Sequence, residues 1–259
     1  MSRATVIIVG AGASGLIAAK ELCEKYNVTI IETAGEPGGR IKSVPLGEGE
    51  GAVEAGAEFV HGELPITIKL AKEAGLSLVE VNGNMYRKEG KEWKEQKEMI
   101  EGWDELVKVM KSVEHDVTMQ ELLDKHFAGD QYSGLRRHIK QYVEGFEEQP
   151  RRIREGYGML VRYLVDTLKA KGCRFEMNET VRQVDWQRNE VTVHTASGKR
   201  YDAEKILITL PVPVMTSVGG PVSLNITPPV DEYIHAYRQI GFGTVVKVVL
   251  DFRKKFWKD

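Results

Sequence analysis

Cysteine is scarce in this chain: Cys23 and Cys173 are the only two among 259 residues. Two thiols cannot make a disulfide framework or a cysteine-rich metal cluster. An excess of one charge is missing too. The 36 basic and 38 acidic residues nearly cancel to a net charge of −2, which argues against binding nucleic acid or a membrane surface through bulk charge. No apolar run reaches the roughly 18 residues needed to span a bilayer. Met1 to Ala4 lead straight into a strand-like run, without the charged, apolar and cleavable pattern of a secretory signal. The histidines show no metal spacing, with no His-Glu-x-x-His or Cys-x-x-Cys, and no Gly-x-Ser-x-Gly elbow occurs. The expectation is a soluble, reduced, cytoplasmic protein without a metal, a nucleic-acid partner or a membrane. At 42% hydrophobic and 29% charged, the chain can build a core, and its length suits one large domain or two small ones.

What is present begins at the N-terminus. Thr5 to Val9 form an uninterrupted β-branched run, which suits a strand buried on both faces. It stops at Gly10-Ala11-Gly12-Ala13-Ser14-Gly15. A helical pattern follows, with Leu16, Ala19, Cys23 and Tyr26 on one face. A second strand, Val28 to Ile31, ends at Glu32 and Thr33. Strand, glycine turn, helix, strand and acid are the order of a dinucleotide-binding unit. Gly10 permits the tight turn, Gly12 admits a pyrophosphate to the backbone, and Gly15 lets helix pack on strand. The free N–H groups and dipole at the helix start, around Ala13 and Ser14, suit phosphate, and Glu32 suits ribose hydroxyls. The unit alone fits NAD and FAD equally, and its acid disfavours the 2′-phosphate of NADP.

The next segments narrow the choice. Glu36-Pro37-Gly38-Gly39-Arg40 follows directly, and then Glu54-Ala55-Gly56-Ala57-Glu58-Phe59-Val60-His61-Gly62. In these motifs the sequence resembles the flavin-containing amine oxidase family, which includes monoamine and polyamine oxidases, L-amino-acid oxidases and histone-demethylase relatives. The resemblance implies non-covalent FAD, with Arg40 behind Gly39 against its diphosphate. It implies that Gly56, Ala57, Glu58 and Phe59 line the isoalloxazine. Arginine suits the first task because its planar fork binds phosphate oxygens bidentately.

From about Leu64 to Gln149, charged amphipathic helical patterns dominate: Ile66–Ala74, Glu98–Val113, Thr118–His126 and Ser133–Gly145. Thr118 with Glu121 reads as a capping box. Asn84–Lys94 reads as a charged, solvated hairpin turning at Glu89-Gly90-Lys91. A helix Leu160–Ala170, a strand Arg174–Met177, a hairpin Val181–Trp186 with Val191–Thr195, a strand near Tyr201 and an apolar run Ile206–Leu210 follow. The fold expected is α/β: a Rossmann-like FAD-binding domain with an interleaved, mostly helical substrate domain. The FAD-binding part covers 1–62 and 152–218, and the substrate part covers 63–151 and 219–259. On the resemblance, the Val181 backbone packs near the adenine. On the residues alone, it is equally an ordinary strand valine.

Asn225 to Pro229 read as the start of a helical segment reaching Ile240, before the run Gly241 to Phe252. A lysine inside that β-branched run is anomalous, because an unpaired buried ammonium is costly. By strand alternation Lys247 and Asp251 share a face, which could simply be wet. The resemblance gives the other reading. The family carries a lysine in a similar glycine-rich run closed by residues matching Phe256 and Trp257, where it holds a water beside flavin N5. Three donors on a long stem suit that work. His61 matches a histidine close to substrate in several polyamine oxidases, and fits a structural role equally well. Lys247 and His61 are therefore the candidate catalytic residues.

The function implied is FAD-dependent oxidation of a primary amine, polyamine or amino acid. A neutral amine would pass a hydride equivalent to flavin N5, and oxygen would be reduced to hydrogen peroxide. The alternatives are a flavin-dependent desaturase or protoporphyrinogen-oxidase-like enzyme, and a non-catalytic FAD-binding fragment. The Gly56–Gly62 segment and the lysine favour the amine-oxidase branch. Glu58, Glu63, Glu147 and Glu148 offer charge to a polycation, a weak signal among 38 acids. The resembled family continues beyond the part traced here. A further C-terminal segment, or a second chain, is accordingly expected to complete the fold.

Overall fold

In the computed structural model of the chain, the β-branched run forms the strand Thr5–Val9, and its side chains leave it in two directions. Val6 and Ile8 enter one core and Ile7 and Val9 another, all four at most 3% exposed. A strand with two buried faces must be covered twice, and two different layers cover it. The structure describes residues 3–45, 52–61, 63–81, 85–89, 92–96, 102–115, 117–141, 151–217, 219–220, 223–240, 242–243 and 245–250. These divide into two compact units. The first takes residues 1–60, 64–79 and 152–250, and the second takes 61–63, 80–151 and 251–259.

The centre of the first unit is a parallel four-stranded sheet, ordered Arg174–Glu176, Asn27–Ile31, Thr5–Val9, Lys205–Ile208. One face carries the helices Ala13–Leu22 and Gly158–Ala170. The second of these buries Leu160, Val161, Leu164, Val165 and Leu168, spaced to form one apolar stripe. It meets Leu16 and Ala19 of the first helix in the core under Val6 and Ile8. Each fully buried Leu or Ile there contributes about 1.5–3 kcal/mol. The opposite face carries a second sheet, ordered Arg200–Ala203, Glu190–Thr195, Val181–Gln187, Asn225–Thr227, whose Val184, Val191 and Val193 pack on Ile7, Val9 and Ile31. Cys23 and Cys173 are buried free thiols of the helical layer, and burial pushes the Cys173 thiol up to about 11. Neither is poised to bond a cofactor covalently.

The second unit is mainly helical among its described residues, with Trp103–Ser112, Met119–His126 and Ser133–Gln141. Among the described residues, Leu106, Leu122, Leu123, Phe127, Leu135 and Ile139 form a core, and the Phe127 and Tyr132 rings meet edge to face at 5.0 Å. The Thr118–Glu121 capping box is formed. The strands Met85–Glu89 and Glu92–Gln96 pair antiparallel as a hairpin, and its turn at residues 90 and 91 lies outside the described residues. No helix among the described residues is long and apolar enough to cross a membrane. No group of three His, Cys, Asp or Glu side chains among them is arranged to hold a metal.

Two expected elements differ. Asn225–Thr227 is a strand paired parallel to Val181–Gln187, and the helix begins only at Asp231. Pro228 and Pro229 lack the N–H groups that either element would need, so one ends and the other starts around them. Residues 245–250 carry no strand, although their side chains are β-branched. Side-chain type prepares a strand, but hydrogen-bonding neighbours make it, and this run has none among the described residues. Asp251, Phe256 and Trp257 lie outside the described residues.

One buried carboxylate ties the edge of the parallel sheet to the second sheet. Glu179 is 5% exposed and accepts from Ser197 Oγ at 2.6 Å and Lys199 Nζ at 2.7 Å. The Lys199 ammonium, with the Ser197 and Thr195 hydroxyls, lowers its pKa from 4.5 to about 2. A depressed folded-state pKa gives stability that is present above the unfolded value and lost as pH falls through the folded one. Urea midpoints of the protein should therefore fall between about pH 4.5 and pH 2 by an amount that Glu179→Gln removes. Parallel curves for the two proteins across that window would refute the assignment.

Candidate cofactor site

The turn after Thr5–Val9 is shaped by a close backbone approach. A Cβ on Gly15 would stand 2.0 Å from the Gly10 carbonyl oxygen, so the helix start can lie on the turn only as glycine. Gly12 is different, with open space where its Cβ would be. The helix Ala13–Leu22 starts at Gly12 without a side-chain cap and without an acid in its first turn. Its hydrogen-bond ladder begins when Leu16 N donates to Gly12 O at 3.0 Å, which leaves the amides of Ala13, Ser14 and Gly15 without intrahelical partners. Such a start is a phosphate-binding geometry.

Glu32 lies against the same turn. Its two carboxylate oxygens accept from Ala11 N at 2.6 Å and Ala34 N at 2.9 Å, and each keeps a lone pair for a further donor. Thr33 beside it is exposed. The segment leading to Val181 runs along here, since Glu179 N donates to Glu32 O and Asn178 N to Ala34 O. The Val181 side chain itself points into the core with Ile31. On the other side, Gly38 N donates to Ala11 O at 2.8 Å, which brings the Gly38-Gly39 turn onto the glycine loop. Arg40 follows, exposed, and its guanidinium has no hydrogen-bond or ionic partner among the described residues. An uncapped helix start, an open glycine and a guanidinium unengaged among the described residues suit a dinucleotide diphosphate, and the Glu32 carboxylate suits a ribose as acceptor. The residues fit that group.

Residues 54–60 are pinned to Arg40. Ala57 N donates to Arg40 O at 3.0 Å and Ala55 N to Lys42 O at 2.7 Å. A Cβ on Gly56 would stand 1.9 Å from the Arg40 carbonyl oxygen, so the two strips can lie together only there. The buried Glu54 carboxylate accepts from Ser43 Oγ at 2.8 Å and from Tyr157 N at 2.7 Å, while Gly158 N donates to Ser43 Oγ. The helix Gly158–Ala170 thus has its first amides answered from within the chain.

The sequence-predicted lysine joins this strip. Lys247 Nζ donates to the Gly56 carbonyl at 3.4 Å and pairs with one oxygen of Glu58, whose other oxygen pairs with Arg152. The Arg152 guanidinium lies 5.3 Å from the centre of the Phe59 ring. Arg152 was not among the sequence-derived candidates, and the basic run Arg151-Arg152-Ile153-Arg154 was its only signal. Of the glutamates offered as charge for a polycation, Glu58 is engaged by two cations, and Glu63, largely exposed, by Arg151 at 3.2 Å. Glu147 and Glu148 lie outside the described residues. His61 is exposed and belongs to the second unit.

Comparison with known proteins bears on what such a site serves. The profile of the family described as flavin containing amine oxidoreductase matches residues 13–136 and 113–259. Lysine-specific histone demethylase 2 of Homo sapiens is 24% identical over 98% of this chain and 35% of its own length. Polyamine oxidase 4 of Oryza sativa subsp. japonica is 24% identical over 99% of this chain and 60% of its own length. The chain therefore spans only part of these relatives. Solved putrescine oxidases share the fold: a variant redesigned in cofactor binding superposes with a TM-score of 0.69 at 18% identity, over 92% of this chain and 63% of that one. The wild type bound to putrescine gives 0.64 at 18% identity, over 90% and 62%.

The open and closed glycines make a paired test. Gly12→Ala should leave the stability of the flavin-free protein within about 1 kcal/mol of wild type but weaken FAD binding about tenfold or more. Gly15→Ala should destabilise the flavin-free protein by about 1–3 kcal/mol. Urea melts with FAD fluorescence titrations read both, and unaltered FAD affinity in the Gly12 variant would exclude this turn as the phosphate site.

Proposed function

Because this chain belongs to the flavin-containing amine oxidoreductase family, whose FAD is held non-covalently, we propose that it oxidises an amine with oxygen as acceptor. In balance, a primary amine, oxygen and water give an aldehyde, ammonia and hydrogen peroxide. When bound, FAD supplies the two-electron chemistry of this reaction. The chain supplies binding and positioning. The amides of Ala13 to Gly15 and the Arg40 guanidinium would hold the diphosphate, Glu32 the ribose, and the strip Gly56 to Phe59 the ring. Lys247 would hold a water at the strip with the donor that Gly56 and Glu58 leave uncommitted. His61 is proposed on the substrate side, from the sequence resemblance alone. The flavin-binding role is assigned to 1–62 and 152–218, and the substrate role to 63–151 and 219–259.

One observation supports this reading most. Lys247 and Gly56 stand 191 residues apart in sequence, each was a candidate for the same site on separate motifs, and a hydrogen bond joins them. The amine is a primary amine, polyamine or amino acid. Glu58, already paired with two cations, supplies no spare charge for a polycation. We also propose that further polypeptide, from this chain or a second one, packs on the run Val245 to Leu250, where Val245 is 89% and Leu250 67% exposed.

The test is an amine panel presented anaerobically to the flavin-loaded natural protein, followed by oxygen and a peroxide assay. Bleaching of the visible flavin absorbance by an amine, then peroxide release, is the expected result, and no bleaching by any amine would overturn the reading. Lys247→Met should keep FAD bound and slow turnover about tenfold or more, a magnitude in the range of a lost proton- or water-positioning group. The rate should rise between about pH 6 and 10 as the substrate amine loses its proton. A flat profile would exclude the neutral amine as the reacting form.

A further inference from the structure

Lys247 lies in a run without helix or strand to hold it. Residues 245–250 belong to no helix or strand, and its neighbours Val246 and Val248 are 82% and 75% exposed. No backbone ladder among the described residues fixes its run, although the Lys247 side chain itself is only 31% exposed. The ammonium is nevertheless directed, onto the Gly56 carbonyl and onto Glu58. An isolated surface ion pair orders little, because long side chains resist being held in one geometry. This pair is not isolated. The Glu58 side chain is only 15% exposed, and its two oxygens divide between two cations, one taking Arg152 and the other Lys247. Arg152 is itself steadied over the Phe59 ring, one residue beyond Glu58.

We propose that Glu58 is a positioning residue. Its carboxylate aims the Lys247 ammonium at the Gly56 carbonyl, and Arg152, seated over Phe59, fixes the carboxylate in turn. This rests on reading Lys247 as a site residue and adds the group that directs it. Two of the three ammonium donors are then committed, and the third is held in one direction, which a lysine in an unstructured run would not achieve alone. The cluster has one anion for two cations. Removing that anion leaves Arg152 and Lys247 as repelling neighbours, and the lysine swings away.

Competitive acetylation with acetic anhydride, quantified by peptide mass spectrometry, reads this directly in flavin-free and flavin-loaded protein. Lys69, whose side chain is 70% exposed, is the internal reference. In the wild type, Lys247 should react more slowly than Lys69. Glu58→Gln, which keeps the shape and loses the charge, should raise the relative reactivity of Lys247 roughly threefold or more. Glu58→Asp should retain most of the protection, and Arg152→Gln should fall between. Raised salt should erode the protection in the wild type and leave the Gln variant unchanged. Equal Lys247 reactivity in wild type and Glu58→Gln would overturn the proposal. So would salt-insensitive labelling of the wild type, a result that needs no variant to fold. Wild-type turnover in Lys247→Met would instead remove the lysine from the reaction while leaving the labelling pattern as expected, so the two failures are distinguishable.

Discussion

The backbone crosses itself at two points where no side chain can stand, and the candidate site depends on both crossings. At Gly15 the helix start presses on the Gly10 carbonyl, and at Gly56 a second strip presses on the carbonyl of Arg40. A Cβ at either place would sit about 2 Å from an oxygen, far inside van der Waals contact. The first crossing sets the helix amides beside the end of Thr5–Val9. The second sets residues 54–60 beside Arg40, which is joined to the glycine loop through Gly38. The turn proposed for the phosphates and the strip proposed for the ring are thereby built on one rigid support, because each is fixed to the next by backbone rather than by adaptable side chains.

Carboxylates then lock the frame in place. Glu32 ties the loop to the second strand, Glu54 ties a buried strip to the helix Gly158–Ala170, Glu58 gathers two cations, and Glu179 binds Lys199 and Ser197. A buried or half-buried anion is tolerated only when donors surround it, so each acts as a strut with its partners. A near-zero net charge conceals this arrangement. It also explains why counting glutamates says little about substrate: Glu58 is engaged by an arginine and a lysine, and Glu63 by an arginine.

Elements whose cause is local were legible from the sequence. Thr5–Val9, the glycine turn, the helix stripe through Leu16 and Ala19, and the Thr118 capping box follow from residues within a few positions of one another. Lys247 and Gly56 were legible as candidates because each sits in its own motif. What escaped has a distant cause. Arg152 matters through Glu58 and Phe59, and nothing near it in sequence names those partners. Lys247 was expected on a strand because β-branched residues surround it, yet pairing decides a strand and pairing is not written in one segment. Asn225–Thr227 went the other way, a short strand recruited by Val181–Gln187 where local pattern suggested helix.

The two helices on one face of the parallel sheet show how a structural helix start differs from a binding one. Both expose unpaired amides at their first turn, as every helix must. For Gly158–Ala170 the chain supplies the acceptors, the Glu54 carboxylate and the Ser43 hydroxyl, and the end is closed. For Ala13–Leu22 it supplies neither cap nor acid, keeps Gly12 open, and leaves the Arg40 guanidinium unengaged among the described residues. The positive end of the dipole and the arginine add in the same sense. An anion bound there is attracted by both, and binding to the folded state alone stabilises that state by linkage. The same unit thus caps one helix with its own carboxylate and leaves the start of Ala13–Leu22 uncapped, and that asymmetry is the physical basis for the proposal that the diphosphate binds there.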